Sequence, residues 1–231
     1  MIWDYLFKLK HQKISYAQNG EDLIIDFAFR EIFKISKPSY LDIGAHHPFC
    51  FSNTQLFYER GARGINVEAN PFLHKVFNLF RFKDKNLNVG IHERDGILEF
   101  YILNPSTLST FDEKEYQRVT RESPWVKLKK KQEIEVLSLP TLLNKFSQNI
   151  MPDLLTLDVE GLDDKIIRQI DFSQMHNRPK VICVETALYT EGCKHQKKFD
   201  LIQYIESQNY TVFADTFLNT IFVDETQRNA T

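Results

Sequence analysis

Four acidic residues stand at the ends of segments whose apolar composition is typical of buried strands. They are Asp42, Glu68, Asp158 and Glu185. Open parallel sheets bind ligands at the carboxyl ends of their strands. A carboxylate placed there accepts hydrogen bonds and attracts cations. The pattern therefore predicts a ligand site that uses carboxylates to hold hydroxyl groups or a positive charge.

The turn after the first of these strands indicates which ligand fits. It reads Asp42-Ile43-Gly44-Ala45-His46, with a single glycine, and Glu68 follows Gly44 at about the distance at which an acidic residue holds a ribose. A dinucleotide requires several glycines at this turn so that the backbone can approach the pyrophosphate. Since a carboxylate here would repel a pyrophosphate, the turn favours a cationic nucleoside cofactor, S-adenosylmethionine.

Methyl transfer from such a donor to a hydroxyl requires a group that takes up the hydroxyl proton. Asp158 is the first candidate and Glu185 the second, while His46 and its neighbour His47 offer a neutral imidazole or a plain hydrogen bond in the loop. Glu160 suits either catalysis or the capping of the helix that follows. Asp158, Glu185 and a histidine are compatible with a divalent metal ion, but no spacing demands one, so the metal stays unknown.

The elements that must position these residues alternate between strand and helix periods, which indicates a parallel sheet with crossover helices. Strands are predicted at 40–43, 64–67, 87–91, 97–103, 133–139, 153–159 and 179–184, and a closing hairpin at 210–213 and 220–223. Helices are predicted at 21–35, 53–60, 70–80, 140–146, 162–170 and 199–208.

A variable insertion is predicted at about 104–131, because that stretch is first rich in Ser and Thr and then strongly charged. Its basic cluster, Lys127 and Lys129 to Lys131, suits a solvated face or a contact with an anionic substrate. Acceptor choice is expected to reside in this insertion.

Length and composition set the outer limits. The 231 residues carry a net charge of −2, with 42% hydrophobic and 26% charged residues, which is typical of one folded domain and argues against disorder and against a nucleic-acid binder. No run of about 18 apolar residues occurs, so no membrane-spanning helix is expected. The three cysteines form no CxxC pair, which favours a reducing cytoplasm, and Cys183 is predicted to be buried.

Six motifs, in order along the chain, resemble those of the FkbM family of S-adenosylmethionine-dependent methyltransferases. They are SYAQNGED at 15–22, YLDIGAH at 40–46, NVEANP at 66–71, NVGI at 88–91, DLLTLDVEG at 153–161 and RPKVICVE at 178–185. The resemblance covers roughly residues 15–223. It implies a class I methyltransferase fold, a Rossmann-like α/β domain with a mostly parallel seven-stranded sheet and helices on both faces. It also implies O-methylation of a natural product or a glycan.

Transferred motif by motif, the resemblance assigns the cofactor-binding residues. Asp42, Gly44 and Ala45 would hold the methionine end, Glu68 the ribose, and Val89 with Gly90 the adenine. The first motif would help to close the pocket, and its expected contributors are Gln18, Gly20, Glu21 and Asp22.

The predicted organisation is an N-terminal extension at 1–14 and a single methyltransferase domain at 15–231. The expected partner is a small-molecule or glycan acceptor, without nucleic acid and with at most peripheral membrane contact through the aromatic residues of the extension. The alternative is a non-catalytic cofactor-binding or scaffold module in a glycan-assembly system. A nucleic-acid methyltransferase is disfavoured, because Asp158-Val159-Glu160-Gly161 replaces the Pro-Pro motif of the amino-directed type, and the Pro-Cys of the cytosine type does not occur.

Overall fold

A seven-stranded sheet forms the centre of the chain. The computed structural model describes residues 11–159, 161–190 and 194–228. The first ten residues of the predicted extension, Glu160, Cys193 and the last three residues lie outside the described ranges. No helix within those ranges is long and apolar enough to cross a bilayer.

Twelve strands and seven α-helices make up the described part of the chain. The strands are β1 (Tyr40–Ile43), β2 (Gly64–Val67), β3 (Lys85–Leu87), β4 (Gly90–Ile91), β5 (Gly96–Asn104), β6 (Lys127–Leu137), β7 (Leu154–Leu157), β8 (Val181–Glu185), β9 (Ala187–Thr190), β10 (Lys194–Lys197), β11 (Tyr210–Asp215) and β12 (Asn219–Asp224). The helices are α1 (Glu21–Glu31), α2 (Gln55–Glu59), α3 (Pro71–Phe80), α4 (Glu113–Glu122), α5 (Leu139–Ser147), α6 (Asp163–Ile167) and α7 (Phe199–Ser207).

The central sheet has the strand order β11-β12-β8-β7-β1-β2-β3. All neighbouring pairs from β8 to β3 are parallel, whereas β12 runs antiparallel to both β8 and β11. The expected mostly parallel seven-stranded sheet of an α/β domain is therefore confirmed. The closing hairpin predicted near the C-terminus is the pair β11–β12.

Alternation along the central strands explains why they are apolar throughout. Tyr40 and Leu154 face a layer formed by α1 and α2, whereas Leu41 and Leu155, their neighbours in sequence, face a layer formed by α5, α6 and α7. Successive side chains of a strand point to opposite faces, so a strand covered on both faces must be apolar at each position. The helices thus hold the sheet between two cores.

Three details differ from the sequence-based expectation. The single strand predicted at 87–91 is two strands, because Asn88 and Val89 carry the chain out of the central sheet and β4 pairs with β6 in a second, three-stranded sheet. Asn88 stabilises the crossing, since its side-chain amide donates to the carbonyl oxygens of Glu68 and Ala69, at 2.8 and 2.9 Å.

The predicted insertion at 104–131 also has more structure than a surface loop. The lysine cluster of the insertion lies in β6, which pairs antiparallel with nearly the whole of β5. The residues of the insertion before β6 form the short 3₁₀ helix Ser106–Leu108 and then α4. Pairing with β5 gives the backbone N–H and C=O groups of this charged segment hydrogen-bond partners within the protein, which an isolated loop would lack. The β9–β10 hairpin was not predicted.

Candidate active site

A cavity of about 270 Å³ opens where strands β1, β2, β7 and β8 end. Ten of the predicted site residues line it: Gln18, Asp42, Gly44, Ala45, His46, Glu68, Val89, Gly90, Asp158 and Glu185. These residues come together because the carboxyl ends of parallel strands meet at one edge of the sheet.

Gly44 allows two of the strand ends to approach each other closely. A Cβ atom at this position would stand 1.9 Å from the carbonyl oxygen of Asp158, and the backbone adopts φ +79°. A residue with a side chain would meet both a steric clash and a strained backbone there. Gly44 and Ala45 donate their N–H groups to the Val67 carbonyl, at 3.0 and 3.1 Å, which ties the turn to the end of β2.

Asp42 is buried beneath this turn and accepts a hydrogen bond from the Thr54 hydroxyl at 2.7 Å. The Thr54 oxygen in turn accepts from the guanidinium of Arg81 at 3.2 Å, and Arg81 is fully buried. Burial raises the pKa of Asp42 to about 6, although the Thr54 hydrogen bond opposes the rise. The cavity therefore holds an acid that titrates close to neutral pH.

Glu68 presents its carboxylate to the cavity from the end of β2. One oxygen accepts from the N–H of His46 at 2.8 Å and the other from the N–H of Asn70 at 2.7 Å. Burial raises the pKa of Glu68 to about 7, against the effect of these two backbone donors. Because each carboxylate oxygen has two acceptor sites, Glu68 keeps acceptor capacity on both oxygens for a ligand.

His46 forms the wall next to Glu68, in a backbone conformation with φ 54°. Its Nε2 lies 3.0 Å from the Ser106 hydroxyl, and its ring stacks against Phe51 with the centroids 6.5 Å apart. Its Nδ1 is buried without a hydrogen-bond partner in the described part of the chain. Burial lowers the pKa of His46, which favours the neutral imidazole.

Asp158 and Glu185 stand at the ends of adjacent strands, β7 and β8. Asp158 has surface exposed to the cavity, and the residues around the cavity keep much of the surrounding water away from its carboxylate. This loss of water and the negative charge of Glu185 raise the pKa of Asp158 well above its usual value. Burial also raises the pKa of Glu185, whereas Lys198, 3.3 Å away, acts in the opposite direction. A carboxylate with a raised pKa is a stronger proton acceptor.

An apolar wall closes the side of the cavity near Val89 and Gly90. The Phe111 ring packs directly over Gly90, since a Cβ there would come within 2.4 Å of the ring, and Phe111 contacts Phe100 with a centroid separation of 4.6 Å. Residues 106–111 supply the rest of this wall. The region predicted as an insertion therefore forms part of the cavity itself.

Three predicted site residues do not line the cavity: Gly20, Glu21 and Asp22. Glu21 is fully buried and accepts hydrogen bonds from Thr216 at 2.6 Å and from the side-chain amide of Asn219 at 3.0 Å, and Asn219 lines the cavity. Asp22 binds Ser15 and the N–H of Tyr16, which holds the segment before α1. The structure thus gives the Glu21 and Asp22 side chains contacts with neighbouring segments, and the role of these three residues in closing the pocket stays a prediction.

Several residues at the site were missed by sequence reasoning. Thr54 and Lys198 contact predicted site residues, Phe111 and Asn219 line the cavity, and Asp163 pairs with Lys198. Apart from the Ser- and Thr-rich composition around Ser106, these positions carry no local signal, because their roles arise from contacts between distant parts of the chain.

Cys183 is buried, as predicted. Among the described residues, no three His, Cys, Asp or Glu side chains are grouped so as to hold a metal ion.

Comparison with known proteins gives two similarities. The family model described as the methyltransferase FkbM domain matches residues 42–212. The crystal structure of methyltransferase FkbM from Methylobacillus flagellatus KT is 13% identical, with a TM-score of 0.46, over 81% of this chain and 43% of that chain. The present chain thus spans less than half the length of that protein. A search of curated proteins gave no significant match.

Proposed function

The chain belongs to the FkbM methyltransferase family, and from that membership we propose that it is an S-adenosylmethionine-dependent O-methyltransferase. Its acceptor is a hydroxyl of a sugar, a glycan or a natural-product intermediate. One observation carries the proposal: two buried carboxylates, Asp42 and Glu68, flank the Gly44 turn inside a single cavity.

The residues present fit this cofactor. Gly44 lets the turn pack directly against the Asp158 backbone, and the turn lines the cavity between Asp42 and Glu68. Asp42 and Glu68 provide negative charge for a cationic sulfonium and amine, and a pyrophosphate would be repelled by the same two groups. Glu68 retains acceptor sites on both oxygens, which suits a vicinal diol. Phe111 and Val89 offer apolar contact to a flat base.

When bound, S-adenosylmethionine supplies a methyl group that is activated by a positively charged sulfur. The protein then has to orient the acceptor and receive a proton. Asp158 is placed to accept that proton on its carboxylate, because it faces the cavity and its pKa is raised. His46 also lines the cavity, where its Nε2 lies 3.0 Å from the Ser106 hydroxyl, and it is the second candidate for the proton acceptor.

Cofactor binding is the first test. Isothermal titration calorimetry with S-adenosylmethionine and with S-adenosylhomocysteine should detect binding to the wild-type chain and much weaker binding to Glu68→Gln. Glu99→Gln is the matched control, since Glu99 is an exposed carboxylate that pairs with Lys131 on the surface of the second sheet. Absence of binding to the wild-type chain contradicts the proposal.

Acceptor identity is the second test. Mass spectrometry of glycans and secondary metabolites from cells with and without the gene should show one product that loses a single methyl increment when the gene is absent. Purified chain should restore that increment with S-adenosylmethionine. Cofactor binding with no methylated product in either experiment would favour the scaffold alternative. A cytoplasmic location, expected from the cysteine usage, stays part of this proposal.

A further inference from the structure

Lys198 is the cation at the base of the β9–β10 hairpin, next to the candidate catalytic carboxylates. Its ammonium group lies 2.8 Å from Oδ2 of Asp163 and 3.3 Å from Oε2 of Glu185. It also donates to the carbonyl oxygen of Glu185, at 3.3 Å. The side chains of all three residues are mostly buried, so these charges interact with little screening by solvent.

The position of Lys198 is fixed by the backbone around it. Its N–H donates to the carbonyl oxygen of Thr186 at 2.8 Å, which closes the hairpin that starts immediately after Glu185. A residue whose main chain and ammonium group are both held is preorganised, and its charge stays in one place during a reaction.

Lys198 is also connected to the loop that carries Asp158. Asp163, its closest partner, uses its other oxygen to accept the N–H of Val159 at 3.1 Å. The ammonium of Lys198 therefore holds the Glu185 carboxylate by direct contact. It also holds the backbone of Val159, the residue after Asp158, through its contact with Asp163. Loss of Lys198 would free both.

The charges around Asp158 are mostly negative. Asp42 on β1, Asp163 on α6 and Glu185 on β8 act on Asp158, and Glu115 on α4 acts on Glu185. Lys198 is the cation among the groups that act on Asp158 in the described ranges. Its hydrogen bonds go to Asp163 and Glu185, and no donor of the described residues binds the Asp158 carboxylate. Asp158 and Glu185 both line the cavity, and of these two Asp158 is the one whose carboxylate binds no donor in the described ranges.

We propose that Lys198 is a positioning residue for methyl transfer, which pairs with Glu185 and Asp163 and thereby leaves Asp158 as the carboxylate available to the acceptor hydroxyl. In this arrangement Glu185 is the ionised partner of Lys198 and not the proton acceptor. The reaction that Lys198 serves rests on the proposed function, but the electrostatic arrangement does not.

The test measures the titration of Asp158 itself. The full chain is labelled with ¹³C at Asp and Glu carboxyl carbons, the Asp158 signal is assigned with Asp158→Asn, and carboxyl shifts are followed against pH in the absence of cofactor. Lys198→Met should raise the midpoint of Asp158 by about one pH unit, because an opposite charge that favoured ionisation is removed. Lys198→Arg, which keeps the charge, should restore a midpoint close to that of the wild type.

Two further variants keep the result interpretable. Lys197→Met is the matched control: the adjacent lysine pairs with Asp215, so the Asp158 midpoint should not move. Asp163→Asn removes a negative neighbour and should shift the midpoint of Asp158 downward, opposite to Lys198→Met. If Lys198→Met fails to fold, Asp163→Asn still tests the arrangement through the sign of its shift.

An unchanged Asp158 midpoint in Lys198→Met or in Asp163→Asn would overturn the proposal and leave Lys198 with a purely structural role. Because the titration uses neither cofactor nor acceptor, this outcome is separate from failure of the proposed function, which appears as absence of S-adenosylmethionine binding to the wild-type chain.

Discussion

The Cα of Gly44 faces the carbonyl oxygen of Asp158 so closely that no other residue fits between them: an added Cβ would stand 1.9 Å from that oxygen. The contact joins the end of β1, which carries Asp42, to the end of β7, which carries Asp158. The side of the cavity proposed to hold the cofactor and the side proposed to accept the proton therefore share one backbone contact, and a change at Gly44 should affect both.

Gly44→Ala should destabilise the chain by roughly 2 to 4 kcal/mol, because backbone must move and a left-handed conformation is strained. It should also abolish measurable S-adenosylmethionine binding. Urea unfolding and calorimetry give the two readouts. Gly96→Ala is the control, since a Cβ at Gly96 meets no atom within 4 Å and its φ is not positive, and its stability should change by less than about 0.5 kcal/mol. Equal effects of the two substitutions would contradict the assigned constraint.

Glu68 should make the stability of the ligand-free chain depend on pH. Its folded pKa of about 7 lies above the unfolded value of 4.5, so its contribution is complete below about pH 4.5 and is lost as pH rises through 7. Relative to Glu68→Gln, the wild type should therefore lose about 3 kcal/mol between pH 4.5 and 8. Urea unfolding of both chains across this range measures the difference. A difference that grows in the opposite direction would show that the folded carboxyl is not raised.

The same titration predicts the pH dependence of cofactor binding. A cationic ligand favours the ionised forms of Asp42 and Glu68, so affinity should rise as pH increases through 6 to 7, with release of protons on binding. Calorimetry in buffers with different ionisation enthalpies counts those protons. Uptake of protons, or no exchange at pH 6.5, would argue that other groups contact the cation.

Asp158→Asn should lower the rate of methyl transfer by about 10² to 10⁴-fold, since the amide cannot accept the hydroxyl proton. Binding of S-adenosylmethionine should change by less than about tenfold, because Asp42 and Glu68 remain. The wild type and Asp158→Asn are each expressed in cells that lack the gene, and the amount of methylated product that each restores is measured, so that no purified acceptor is needed. Asp200→Asn, an exposed acid on α7, is the control. Near-normal product with Asp158→Asn would reassign the proton acceptor, with His46 as the next candidate.

Glu21→Ala should act through stability and not through direct cofactor contact. It leaves the buried amide of Asn219 without its acceptor, whereas the Thr216 hydroxyl keeps the Asn219 carbonyl oxygen at 3.2 Å; the loss should cost about 1 to 3 kcal/mol. At temperatures where the variant is folded, its S-adenosylmethionine affinity should fall less than that of Glu68→Gln. A larger loss of affinity than in Glu68→Gln would place Glu21 at the cofactor after all.

The helices and strands of this chain were predictable where the apolar residues keep one regular spacing, or form one continuous run, along the whole element. The apolar runs of β1, β7 and β8 and the capped start of α3, where Asn70 accepts from the N–H of Phe72, are local patterns with local causes. The division of the stretch 87–91 into two strands was not predictable, because its residues have a strand-like composition on both sides of the crossing. Whether such a stretch continues in one sheet or crosses into another depends on what it pairs with.

The sequence by itself determined the parallel sheet and the convergence of Asp42, Glu68, Asp158 and Glu185, since carboxyl ends of parallel strands must share one edge. Tertiary structure alone decided which partners each carboxylate has. Lys198 is 35 residues from Asp163, and Thr216 is 195 residues from Glu21. The pKa and the hydrogen-bond capacity of a buried acid depend on such neighbours and on its loss of water, and neither is encoded in local spacing.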